Sequence, residues 1–186
     1  MVVVEDIPHC NGIILISGPS RGGKSRWAEH LLSGYESVSY IATSAKREHD
    51  TDWEYRLQLH RDRRPEHWTV FEASTDIVDV INNIPSSEAV LIDSLGGLVA
   101  YNLDQSSNQW DLLVDDLIQT LRQHVRTILI VIEETGWGVV PNTASGCLFR
   151  DRLGKMAQDL EAYSNDSWLV IQGRAINLKH ISISVP

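Results

Sequence analysis

Cysteine is almost absent: Cys10 and Cys147 are the only two in 186 residues, and neither sits in a CxxC or Cys/His spacing. Two thiols cannot build a disulfide framework, and a reducing cytoplasm fits this usage best. Long apolar runs are missing too. The run at 128–132 is about a quarter of the length needed to span a bilayer, so no transmembrane segment is expected. The start MVVVEDIPHC lacks a basic n-region and meets Glu5 and Asp6 before any long apolar stretch, which argues against an export signal. Basic residues are also in deficit. Sixteen Lys and Arg against 25 Asp and Glu leave a formal charge of -9, so the average surface repels phosphate backbones. That argues against a dedicated nucleic-acid binder and makes any phosphate site a local one. The seven histidines share no metal-ligand spacing such as HExxH.

What is present is the composition of a globular chain, with 42% hydrophobic and 22% charged residues. We read residues 1–186 as one domain, with 1–11 as a loose extension. No internal repeat or low-complexity tract divides it. Short β-rich runs recur at 13–17, 38–42, 89–93, 127–132 and 168–172. Several are apolar at nearly every position, the pattern of a parallel sheet covered on both faces. Between them lie helical spacings: Trp27, Leu31 and Leu32; Ile77, Val80 and Ile81; Trp110, Leu113, Leu117 and Leu121; Leu153, Met156 and Leu160. Alternating β and α segments predict a doubly wound α/β sheet that binds ligands at its carboxyl edge. Ser106, Ser107 and Asn108 mark a turn before a helix near Gln109, and 180–185 is expected to add an edge strand.

Gly18, Pro19, Ser20, Arg21, Gly22, Gly23, Lys24 and Ser25 fit GxxxxGK[ST] between a predicted strand and a predicted helix. Such a loop turns backbone N–H groups toward phosphate oxygens, and the helix N-terminus adds positive potential. Lys24 would reach the β- and γ-phosphates, and the Ser25 hydroxyl would serve Mg²⁺. A carboxylate at a strand end normally completes the metal site. Asp93 fits, Glu133 and Glu134 compete, and a plain helix cap is the other reading of Asp93.

The segment RLQLHRDRRPEHW at 56–68 gathers four of the sixteen basic residues. If 52–63 is helical, Arg56, His60 and Arg64 share one face until Pro65 stops the helix. An imidazole between guanidiniums can attack phosphorus and carry a covalent group. A solvated helix salt-bridged to Glu54 and Asp62 is the competing reading. Trp27, Trp53, Trp110 and Trp168 are expected in the core, whereas Trp137 sits in a glycine-bearing loop where its ring could cover a ligand or simply pack.

The order ISGPSRGGKS, YIATSA, RLQLHRDRRPEHW, LIDSL, EETGWGVVP and FRDRLG resembles the bifunctional adenosylcobinamide kinase / adenosylcobinamide-phosphate guanylyltransferase family of cobalamin biosynthesis. The resemblance implies a RecA-like P-loop NTPase fold, a mostly parallel central sheet flanked by helices, usually assembled as a homotrimer. It implies two reactions: phosphorylation of adenosylcobinamide by ATP or GTP, then transfer of GMP from GTP to adenosylcobinamide phosphate. His60 matches the family's nucleophile. By the same matching the phosphate loop, Thr43, Ser44, Ala45, Arg61, Asp62, Arg63, Arg64, Glu72 and Asp93 contact the guanine nucleotide. Departures from the family pattern are Glu133 and Ala157 where Asn is common, Arg174 where an apolar residue is usual, and a 93–102 spacing one residue long. A simple small-molecule kinase in which His60 only orients substrate, and a non-catalytic nucleotide-binding module, are the alternatives.

Overall fold

The computed structural model describes residues 10–43, 58, 64–73, 76–124 and 126–185. Seven strands form one sheet: β1 (Ile13–Gly18), β2 (Val38–Ala42), β3 (Thr69–Glu72), β4 (Ala89–Asp93), β5 (Ile128–Glu133), β6 (Asp166–Ile171) and β7 (Arg174–Asn177). Around it, among the described residues, lie α1 (Lys24–Leu31), α2 (Ile77–Asn83), α3 (Leu95–Tyr101), α4 (Ser107–Gln123), α5 (Ala144–Glu161) and α6 (Leu178–Ile181). The strand order is β3-β2-β4-β5-β1-β6-β7, parallel throughout except for the β6–β7 pair.

The continuous apolar runs explain this layering. Successive side chains of a strand point to opposite faces, so a central strand covered on both sides must be apolar at every position. Ile13, Leu15, Ile92 and Ile130 pack toward α2, α3, α4 and α5. Their neighbours Ile14, Ile16, Leu91 and Leu129 pack toward α1. Helices therefore flank both faces of a mostly parallel sheet with a phosphate-loop sequence after β1.

Two charged side chains tie the helical layer together. The Arg152 guanidinium, buried on α5, donates to the carbonyls of Asn102 at 2.9 Å, Leu103 at 3.3 Å and Gln105 at 2.7 Å, which closes the turn between α3 and α4. The N-terminus of α4 carries a capping box between Ser106 and Gln109. Arg126, likewise buried, donates to the carbonyls of Ile84 and Pro85, each at 3.1 Å.

Several expectations change. The edge strand is β7 and not 180–185, because Gln172 and Gly173 have φ of 53° and 74° and turn the chain straight back on β6. Two adjacent positive-φ residues match the twist of a tight hairpin. Asn177 then caps α6 by accepting from the His180 N–H at 3.3 Å, and 182–185 is irregular. Trp110 is buried as expected, but Trp27 and Trp168 are only half-buried, edge to face with each other at 5.2 Å. Trp53 lies outside the described residues.

Candidate active site

The phosphate-loop sequence joins β1 to α1 as a turn pressed against β6. A Cβ on Gly18, whose φ is +149°, would come within 2.1 Å of the Val170 carbonyl oxygen, and one on Gly22 within 2.5 Å. No side chain larger than hydrogen fits at either position without moving the β6 backbone. The turn is closed by the Gly22 N–H donating to the Pro19 carbonyl at 3.1 Å. A Gly173 N–H to Gly22 carbonyl bond at 2.9 Å fastens it to the β6–β7 hairpin. Gly23 is the N-cap of α1 and offers no side-chain acceptor, and a helix N-terminus of this kind favours an anion. Lys24, 8% exposed, donates to the Pro19 carbonyl at 2.9 Å and so lies along the loop. Ser25 is the second residue of α1.

Asp93 ends β4 on the same face as α1. Leu91, two residues earlier, packs toward α1, and strand alternation returns Asp93 to that side. β4 stands two strands from β1, about 10 Å at ordinary strand spacing. Tyr40, buried on β2, donates from its hydroxyl to Asp93 Oδ2 at 2.9 Å. Burial, then the neighbouring Asp93 carboxylate, pushes the Tyr40 phenol far above its ordinary range, so it stays a donor. The Arg64 guanidinium lies over the Tyr40 ring, 4.2 Å from its centroid. Arg64 thus reaches the neighbourhood of Asp93 through a shared tyrosine.

The two competing acids have other partners. Glu133, opposite Gly18 in register, accepts from the Ser94 hydroxyl and from the Gly96 N–H at 2.9 Å. It therefore braces the turn that follows Asp93. Glu134 accepts from the Gly136 N–H at 2.7 Å. A serine hydroxyl and an aspartate are hard oxygen donors, and Mg²⁺ shared with phosphates needs only one or two carboxylates. Ser25 and Asp93 fit that requirement.

Thr43 and Glu72 lie further along the carboxyl edge. Buried Thr43 follows β2, three strands from β1, and its Oγ1 accepts from the Ser94 N–H at 2.9 Å. Exposed Glu72 ends the edge strand β3, four strands from β1 or about 19 Å. His60, Arg61, Asp62, Arg63, Ser44 and Ala45 lie outside the described residues. Of the helix predicted over 52–63 only Gln58 is described, as helical and exposed. Sequence reasoning missed Tyr40 as a partner of Asp93; the only signal was a phenol inside a buried strand. It also missed Val170 and Gly173 as walls of the phosphate loop, for which no local signal exists.

The carboxyl edge of the sheet thus carries an anion-ready turn, a lysine and a carboxylate on the α1 face, the parts a phosphoryl transfer needs. No helix among the described residues is long and apolar enough to cross a membrane. The chain is 32% identical over 182 residues to the bifunctional adenosylcobalamin biosynthesis protein CobU of Escherichia coli (strain K12), covering 90% of this chain and 99% of that protein. It is 31% identical over 169 residues to the bifunctional adenosylcobalamin biosynthesis protein CobP of Pseudomonas aeruginosa, covering 89% and 96%. Among solved structures, the RadB recombinase aligns with a TM-score of 0.45 and 17% identity, covering 88% of this chain and 74% of that one. Residues 14–178 match the family described as cobinamide kinase / cobinamide phosphate guanyltransferase, and the chain belongs to that family.

Proposed function

We propose that one nucleotide cradle, within a single domain, serves both reactions of this chain. In the first, the terminal phosphoryl group of ATP or GTP passes to the aminopropanol hydroxyl of adenosylcobinamide. In the second, GMP passes from GTP to adenosylcobinamide phosphate, giving adenosylcobinamide-GDP. The observation that carries this reading is the pairing of Lys24, lying along the turn between β1 and α1, with Asp93 on the same sheet face.

The N–H groups around residues 18–25 hold the phosphates, and Lys24 places its ammonium on the group that transfers. Ser25 and Asp93 would hold Mg²⁺, which when bound would offset the negative charge of the phosphates. In guanylyl transfer a neutral His60 ring nitrogen attacks the α-phosphorus of GTP. The bond to pyrophosphate breaks, leaving GMP on the imidazole as a phosphoramidate. A phosphate oxygen of adenosylcobinamide phosphate then attacks the same phosphorus and the P–N bond breaks. Thr43, Ser44, Ala45, Arg61, Asp62, Arg63, Arg64 and Glu72 contact the guanine nucleotide in this reading. A homotrimer and a cytoplasmic setting go with it.

Incubation with α-labelled GTP and Mg²⁺ should label the protein and release pyrophosphate. The label should be acid-labile and alkali-stable, and His60→Ala should abolish it. Wild-type protein that phosphorylates adenosylcobinamide yet never takes up label would leave only a simple kinase. Lys24→Ala should slow the kinase step by about two orders of magnitude or more. If it does not, Lys24 has no part in the chemistry.

A further inference from the structure

The loop leaving β5 is anchored at both ends and bare at its tip. At its start the Glu134 N–H donates to the Gly18 carbonyl at 2.9 Å, which fastens the loop to the first residue of the phosphate turn. At its end Cys147 Sγ donates to the Pro141 carbonyl at 3.3 Å, and Thr143 caps α5 by accepting from the Gly146 N–H at 3.1 Å. Between these anchors Trp137 is 61% exposed, Val139 95% and Val140 64%. Apolar surface left in water costs about 25 cal/mol per Å², and an exposed indole and two exposed valines within four residues of a tethered loop point to a contact surface. The tether fixes where that surface stands. Trp137 follows Glu134 by three residues, which extend at most about 11 Å, so the backbone of Trp137 stands within that reach of the first residue of the phosphate turn.

The acceptor of the proposed reactions has a matching shape. A corrinoid is a broad macrocycle with methyl-bearing edges, and its reacting hydroxyl hangs at the end of an aminopropanol arm. It needs an apolar shelf an arm's length from the transferred phosphate. A guanine base would need several hydrogen-bond partners as well as faces, and of these three side chains only the indole N–H supplies one. We propose that Trp137, Val139 and Val140 form the shelf on which the corrin ring of the acceptor lies, an inference that rests on the cobinamide kinase reading above.

The test varies cobinamide concentration in kinase assays of full-length Trp137→Ala and of the double variant Val139→Ser with Val140→Ser. The KM for cobinamide should rise about tenfold or more, with kcat at saturation changed less than about threefold. Affinity for Mg²⁺–ADP, measured by calorimetry, should be unchanged, and Trp137→Phe should restore most of the corrinoid affinity. An unchanged corrinoid KM in both variants overturns the shelf. So does a change in sedimentation of Trp137→Ala, which would make the tip a subunit contact. Wild-type protein that phosphorylates no cobinamide sinks the underlying kinase reading instead. Equilibrium dialysis of cobinamide then decides the shelf separately: equal binding to wild type and Trp137→Ala, or none to wild type, overturns it.

Discussion

Tyr40 and Asp93 are joined across neighbouring strands by a 2.9 Å hydrogen bond from phenol to carboxylate, with the Arg64 guanidinium lying on the same tyrosine ring. One residue thereby couples the strand-end acid to the segment that carries the basic cluster.

Tyr40→Phe keeps the aromatic surface beneath Arg64 and removes only the donor. Equilibrium urea denaturation should show a loss of about 1 kcal/mol at neutral pH. The phenol is raised in the folded state by burial and by Asp93. Its contribution is therefore complete below the unfolded value near 10 and is lost as pH climbs above it. The phenylalanine variant should have a flatter alkaline limb; matching alkaline limbs for the two proteins would contradict this account.

Glu133 holds the turn after Asp93 through the Ser94 hydroxyl and the Gly96 N–H. Glu133→Ala leaves those donors without their acceptor and should cost about 1–3 kcal/mol. Phosphorylation should slow about tenfold because Asp93 loses its support. Glu133→Gln keeps an acceptor oxygen and should retain most of the rate in a steady-state kinase assay. A glutamine variant as slow as the alanine one would point to a role for the charge itself.

Arg152 satisfies three carbonyls from a buried position, so Arg152→Leu should destabilise the fold by about 2–4 kcal/mol in urea. Arg152→Lys should recover only part of that, since an ammonium lacks the planar fork. Nucleotide affinity should be unaltered in both, because the three carbonyls that Arg152 serves belong to residues 102–105 and none to the phosphate loop.

His124 accepts from Arg126 on Nδ1 at 2.9 Å, which leaves Nε2 to donate to Asn82 Oδ1 at 3.3 Å. Burial, then the Arg126 charge, lowers its pKa from 6.5. A proton that binds the unfolded chain more readily makes stability full above about 6.5 and lower as pH falls through the folded value. Thermal melts between pH 7.5 and about 5 should show this fall, and His124→Gln should reduce it. An unchanged pH slope in the variant would rule His124 out as its source.

Local pattern carried a good deal of this protein. The five β-rich runs became β1, β2, β4, β5 and β6, and the signal was plainest in β1, β4 and β5, whose nearly continuous apolar residues are buried on both faces. β3 escaped notice because Thr69–Glu72 is a largely exposed edge strand with little apolar signal. α3 was hidden by Gly96 and Gly97, which read as helix breakers until Leu95, Leu98 and Val99 are seen packed on the sheet.

The residues of the phosphate turn and its placement between strand and helix were determined by sequence alone, since eight consecutive positions specify that turn through glycine and a capping geometry. Tertiary structure alone decided what the turn faces. Gly173 meets Gly22, Tyr40 meets Asp93 and Glu133 meets Ser94 through bonds between residues far apart in the chain. Their encounters depend on β6 lying beside β1, β2 beside β4 and β5 beside β4. Strand order is set by long-range packing of two apolar faces, and no local pattern encodes it.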